Sequence, residues 1–182
     1  MVFRNPRLRI AALAVLALSA GLAGSVRASG VLDLMRALPP KESVTEADAV
    51  EAAAVLVGER AKATDPAACE ARLRAQGILD PGDPYRPDRK CNKGFASMLF
   101  ARGMKLKGGW AGRLTGKLGP RLAYKELAFL EIVPPIGERD AITGGELLSM
   151  LKLSQDYLRG EAQQKAALAD YRKKRHEKHG TP

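Results

Sequence analysis

The chain has 182 residues, 46% hydrophobic, 27% charged and only 5% aromatic, with a formal charge of +10. That length and composition describe an ordinary globular protein of one domain rather than two. A pI near 9.9 ordinarily raises nucleic acid as a partner, but the start of the sequence argues that partner away.

Arg4, Arg7 and Arg9 form a basic n-region, Ile10 to Leu18 an apolar h-region, and Val26-Arg27-Ala28 a small-residue cleavage site. Residues 1–28 therefore read as a signal peptide, and the mature chain is expected to begin at Ser29. The alternative is an uncleaved anchor, although the uncharged run Ile10 to Val26 falls just short of the ~18 to 20 residues that spanning requires. Export, to the periplasm or the cell surface, leaves cell-wall polymers, lipopolysaccharide and anionic lipid headgroups as the available polyanions. Losing the four arginines of the signal takes +10 to about +6, and the remaining charge is concentrated. Eleven cations lie between Arg86 and Lys125 against the single acid Asp88, and Arg172, Lys173, Lys174, Arg175 and Lys178 close the chain. For that closing cluster, solubility alone is a sufficient explanation.

Val31 to Leu38 predicts a short apolar helix stopped by Pro39 and Pro40, which lack amide hydrogens. Thr45 and Asp48 have the spacing of a capping box and open an alanine-rich helix, Ala47 to Val57. Asp65-Pro66 is an N-cap followed by proline at the first helical position. The helix it opens carries Cys69 and Leu73 and ends at Gly77, after which Ile78 and Leu79 plug the core. Asp80 to Lys90, DPGDPYRPDRK, predicts a rigid extended loop bearing Tyr85, Arg86 and Arg89. Asn92 caps the next helix, whose Phe95, Met98, Leu99 and Met104 recur at core spacing.

Lys105 to Arg121 is the least regular stretch, and its glycines argue against a long helix. It holds Trp110 among Lys105, Lys107, Arg113 and Lys117. That ring can stack on a sugar or sit at a lipid interface; folding back as a core plug is the alternative. A further helix carries Ala123, Leu127 and Leu130 up to Pro134-Pro135. Thr143 and Glu146 then form a second capping box, ahead of a helix burying Leu147, Leu151, Ser154 and Leu158. Beyond Gly160, residues 161–182 read as a helical, basic, solvent-facing tail.

In an oxidising compartment the two cysteines favour a Cys69–Cys91 disulfide. Closing that loop of about 22 residues would stabilise by roughly 3 kcal/mol; two separate buried thiols are the alternative. A metal site is not expected, because His176 and His179 lie far away in the tail, and no cofactor motif is present. No nucleophile–base set, HExxH or GxSxG appears either. A carboxylate pair such as Glu131 and Glu146 could act on a glycosidic bond, but a chain with this many acids contains such pairs by chance, so a non-catalytic role is expected.

The caps Thr45, Asn92 and Thr143 recur about fifty residues apart, which signals a repeat. The expected fold is all-α, with three helix-loop-helix units at about 31–62, 65–107 and 121–158 in a domain spanning 29–160. Three units of helix, Pro-containing loop and capped helix behind a signal peptide resemble the S-layer-homology repeat. That family's second helix opens with a motif of the form ITRAE. The matching segments here read Val44-Thr45-Glu46-Ala47-Asp48, Cys91-Asn92-Lys93-Gly94-Phe95 and Ile142-Thr143-Gly144-Gly145-Glu146. The segment Lys93 to Leu158 is also similar to uncharacterised exported bacterial proteins.

The resemblance implies a compact pseudo-threefold bundle whose inter-repeat grooves bind peptidoglycan or an acidic wall polysaccharide. It gives the family's binding cation, the residue after the Thr, to Lys93 alone, since Glu46 and Gly144 stand in the other two units. With the charge distribution, it points to one groove in the second unit, contacted by Lys93, Arg86, Arg89, Trp110, Arg102 and Lys105. Two other functions compete. One is a membrane-surface or lipopolysaccharide-binding protein acting through the segment around Trp110. The other is a structural subunit that docks on protein, for which an apolar groove without a basic border would be the sign.

Overall fold

The computed structural model describes residues 32–59, 65–107 and 118–179. The expected signal peptide and Trp110, Arg113 and Lys117 lie outside them. The described residues form an all-α fold of six helices: α1 (32–37), α2 (Glu46–Leu56), α3 (Pro66–Ala75), α4 (Lys93–Gly103), α5 (Pro120–Phe129) and α6 (Gly144–His179).

The helix starts follow from local chemistry. Thr45 Oγ1 accepts from the Asp48 amide at 3.3 Å while Asp48 Oδ2 accepts from the Thr45 amide at 2.8 Å, a reciprocal capping box. Thr143 and Glu146 repeat it at 3.2 and 2.9 Å. Asn92 Oδ1 accepts from Phe95 at 2.8 Å, and Asp65 Oδ1 from Ala68 at 2.7 Å with Pro66 at the first helical position.

The helix ends are equally regular. α2, α3, α4 and α5 each finish on a residue in the left-handed region: Gly58, Gly77, Lys105 and Glu131. The next amide in each case reaches back into the last turn, Glu59 to Ala54 O at 2.7 Å, then Ile78 to Leu73 O, Leu106 to Ala101 O and Ile132 to Leu127 O, all at 2.9 Å. The chain past α3 and the chain past α5 share one more bond, Leu79 to Leu73 O and Val133 to Leu127 O at 3.3 and 3.4 Å. This sends two consecutive apolar residues, Ile78-Leu79 and Ile132-Val133, down into the core.

The three capped helices α2, α4 and α6 pack on one another, α3 packs on α2, and α5 packs on α4. Alanines make the centre narrow: Ala49, Ala52, Ala53, Ala96 and Ala101 are wholly buried, and so are Ser97 and Ser154. Leu38, Leu73, Leu99, Phe100, Leu127 and Leu147 fill the layers around them. α6 continues through Gly160 to His179 without a break, about 54 Å of helix at 1.5 Å per residue.

The helix starts are tied together by a closed ring. Val44, Cys91 and Ile142 each precede a cap, and their backbones bond in a cycle. Cys91 donates to Val44 O at 2.9 Å, Val44 to Ile142 O at 3.0 Å, and Ile142 to Cys91 O at 3.1 Å. Three buried amides are thereby satisfied without a sheet. The next amides continue the circuit. Glu46 donates to Arg89 O and Ala47 to Pro87 O, while Lys93 donates to Asp140 O and Gly94 to Glu138 O. Gly144 in turn donates to Lys41 O. Each capped helix thus seats its first turn on the loop that precedes the next cap.

The expected disulfide is not formed. Cys69 and Cys91 are separate, fully buried thiols. Cys69 sits on α3, which packs on α2, whereas both backbone groups of Cys91 are committed to the ring. The Cys91 thiol donates to Asn92 O at 3.4 Å, and burial pushes its pKa up to about 12, so it stays protonated at neutral pH.

Candidate ligand-binding site

The residues after the caps, Glu46, Lys93 and Gly144, stand at three successive seams, because each of their amides donates into the next loop of the circuit. At the first seam Glu46 is fully buried. Its Oε1 accepts from Arg89 Nη2 at 2.6 Å and Nε at 2.7 Å, and its Oε2 accepts from the Arg86 amide at 2.8 Å. Arg89 also donates to the Pro84 carbonyl. A buried carboxylate held by three donors in this way is a structural anchor. It fixes the proline-rich loop, where Tyr85 stacks on Phe95 at 6.3 Å with the Arg74 guanidinium 5.9 Å from its ring centre.

At the second seam Lys93 Nζ lies 2.8 Å from Glu146 Oε1, joining the second cap to the third. The lysine side chain is 12% exposed and the carboxylate 43%. The hydrogen bond to Glu146 raises the Lys93 pKa. For Glu146 burial acts in the opposite sense, but the Lys93 ammonium and the Thr143 donors together hold its carboxyl below the usual range. Arg139 is exposed on the loop whose Glu138 and Asp140 carbonyls receive the first amides of α4, so this seam carries a second cation.

At the third seam there is no room for a side chain. A Cβ built on Gly144 would stand 1.7 Å from the Leu38 carbonyl oxygen, so backbone meets backbone where the resemblance would place a cation.

The six expected contacts are therefore divided. Arg86 and Arg89 share the first seam, where Arg89 is engaged by Glu46 and the Arg86 side chain is exposed. Lys93 stands at the second. Arg102 belongs to neither. Its side chain is 11% exposed, and its guanidinium bonds Asp83 Oδ2 at 2.7 Å, Ile78 O at 3.0 Å and, through Nε, Leu118 O at 3.0 Å, clamping the loop before α4 to the chain before α5. Lys105 is exposed at the end of α4 and lines, with Arg102, Leu56, Val57, Ile78 and Leu158, a depression of about 480 Å³. Trp110 lies outside the described residues.

Sequence reasoning missed the acids that engage these cations. Glu46, Glu146 and Asp83 all had visible local roles as helix-start or turn residues, and nothing in their spacing pointed to a distant arginine or lysine. It also missed a second depression of about 410 Å³ between α1 and α6, lined by Met35, Leu148, Leu151 and Lys152. Among the described residues no group of three or more His, Cys, Asp or Glu could hold a metal ion, and no helix is long and apolar enough to cross a membrane. Comparison of the chain with family models, with curated proteins and with solved structures finds no match.

Proposed function

We propose that the chain is an exported, non-catalytic binding module of the cell envelope, built from three S-layer-homology-like units in a pseudo-threefold bundle. On this reading it holds peptidoglycan or an acidic wall polysaccharide through the second unit, with Lys93 as the central contact and Arg139 and Arg86 in support. The observation that carries the reading is the exposure of Glu146, the carboxylate that holds the largely covered Lys93 ammonium. Glu46 is shut in the core, whereas Glu146 is 43% open to solvent. A polymer carboxylate or phosphate can replace it on Lys93 without opening the fold.

Sedimentation with purified wall sacculi, intact and acid-stripped, tests this. Retention on intact sacculi should fall with salt, since exposed charges are screened beyond about 8 Å at physiological ionic strength, and Lys93→Glu should weaken it. Retention surviving acid stripping would assign the contact to peptidoglycan itself. No retention on either preparation overturns the reading.

A second reading, a structural subunit that docks on protein, is supported by the depression between α1 and α6. Its floor is apolar, Lys152 is the one cation among its lining residues, and Met35 beside it is 51% exposed. Met35→Asp separates the two readings, because wall retention should be indifferent to it.

A further inference from the structure

We propose that the outer face of α5 and the loop that follows it form a contact surface for an anionic phospholipid bilayer, a site separate from the seams. Phe129 and Ile136 are 83% and 84% exposed, the highest values among the large exposed hydrophobic residues described. One such residue needs no explanation. Here two occur on the same connection, and each stands almost clear of its own protein.

Both are held out by a braced framework. The underside of α5 buries Ala123, Tyr124 and Leu127 against α4, and Ile132 and Val133 anchor the chain directly after the helix. The Tyr124 hydroxyl donates to Pro134 O at 2.6 Å, so the loop carrying Ile136 lies back along α5. Past Ile136, Gly137 turns the chain at φ +106° and its carbonyl accepts from Asp140 at 3.0 Å. The two apolar side chains thus project from fixed backbone, which lowers the ordering cost of using them.

The charge beside them selects the occupant. Arg121, Lys125 and Phe129 follow at intervals of four along one exposed stripe of α5. Among the described residues no carboxylate pairs with Arg121 or Lys125, in contrast to Arg89, Lys93 and Arg102. Projecting apolar side chains behind two unengaged cations fit a soft surface, with negative phosphates outside and an apolar interior beneath. A sugar polymer would use the cations and could stack on Phe129, but it would leave the aliphatic Ile136 idle. Glu131 opposes the fit, being exposed on the turn between Phe129 and Ile136.

Flotation of the full chain with phosphatidylcholine vesicles, and with equimolar phosphatidylcholine and phosphatidylglycerol, tests the proposal at low salt. Wild type should float with the anionic vesicles and not with the neutral ones. Phe129→Ser/Ile136→Ser and Arg121→Glu/Lys125→Glu should each lower the apparent affinity by about tenfold or more, and Glu131→Gln should raise it. All these side chains are exposed, and unchanged circular dichroism establishes that each variant is folded. Lys93→Glu should float as wild type does, which keeps this result distinct from wall retention. Absence of flotation, equal flotation on neutral vesicles, or variants that float like wild type would each overturn the proposal.

Discussion

Replacing Gly144 with alanine is the sharpest test of how the helix starts are joined. The new Cβ would stand 1.7 Å from the Leu38 oxygen and 2.5 Å from its carbonyl carbon. Ordinary carbon contacts begin near 3.5 Å, so the start of α6 must retreat by about 1.5 Å or more. Leu38 cannot yield in its place, since it is fully buried and its amide is bound to Leu34 O. The retreat pulls Gly144 N from Lys41 O, now 2.9 Å away, and strains the ring bond from Val44 N to Ile142 O at 3.0 Å. A buried donor left unmade costs about 1 to 3 kcal/mol, and overpacking strain adds to that. A loss of about 3 to 4 kcal/mol corresponds to roughly 10 °C in the melting temperature of a domain of this size. Gly145→Ala is the matched control, because nothing lies within 4 Å of its Cβ position. Alanine's better helix propensity should leave that variant equal to wild type or up to about 1 kcal/mol more stable. Thermal unfolding followed by far-UV circular dichroism reads both. A Gly144→Ala protein melting within about 2 °C of wild type, or a Gly145→Ala protein that loses as much, would refute the close approach and the ring built on it.

Two more predictions concern the cysteines and the helix ends. Cys69 and Cys91 should resist a thiol reagent at neutral pH in the folded chain, given their burial and the protonated state of Cys91. Both should react once the chain is unfolded without reductant, and an unfolded chain that yields no thiol would show the bridge to exist. Lys105→Gly and Glu131→Gly should each stabilise by a few tenths to about 1 kcal/mol, because φ of 58° is strained for a residue with a Cβ and free to glycine. Gly58→Ala should do the reverse. Urea midpoints measured at constant slope decide all three, and a midpoint falling on Lys105→Gly would count against the left-handed turn.

What was legible in the sequence was local. The pairs Thr45–Asp48 and Thr143–Glu146, the Asn92 cap and the Asp65-Pro66 start each act over three residues or fewer, so spacing alone reveals them. The core stripe of α4 and the plug Ile78-Leu79 were legible for the same reason, as periodicity and position. The turns at Lys105 and Glu131 were not, since tertiary packing of the following Leu106 and Ile132 holds a conformation that neither residue advertises. The cations of the candidate site were visible as charge, but the acids that engage them lie far along the chain, 19 residues away for Arg102 and Asp83 and more for Lys93 and Glu146. Arg89 meets Glu46 at a separation of 43 residues, and only the fold brings the two together. The cysteines misled for a related reason. An oxidising compartment would permit a bond that the geometry around Cys91 does not use.

Lys93 stands in two roles on the proposed function, and that dual use sets a pH dependence with a definite sign. Its ammonium holds Glu146 below the usual carboxylate range, so the pair stays formed as pH falls until Glu146 itself takes up a proton. The part of the stability contributed by this depressed carboxyl is present above its unfolded pKa and lost as pH falls through the folded one. It is modest, because the carboxylate is 43% exposed. A ligand anion on Lys93 competes with Glu146, so protonating Glu146 removes the competitor. Wall retention of the wild type should therefore rise as pH drops into the carboxylate range, provided that the ligand group is a phosphate that stays charged there. Glu146→Gln should retain more strongly at neutral pH and lose the rise. The substitution leaves Thr143 Oγ1 accepting from the amide at position 146, so the helix start survives it. Sacculus retention measured across that range for both proteins checks the coupling. If Glu146→Gln binds more weakly than wild type at neutral pH, the carboxylate takes part in holding the polymer, and Lys93 is not the residue that the two anions contest.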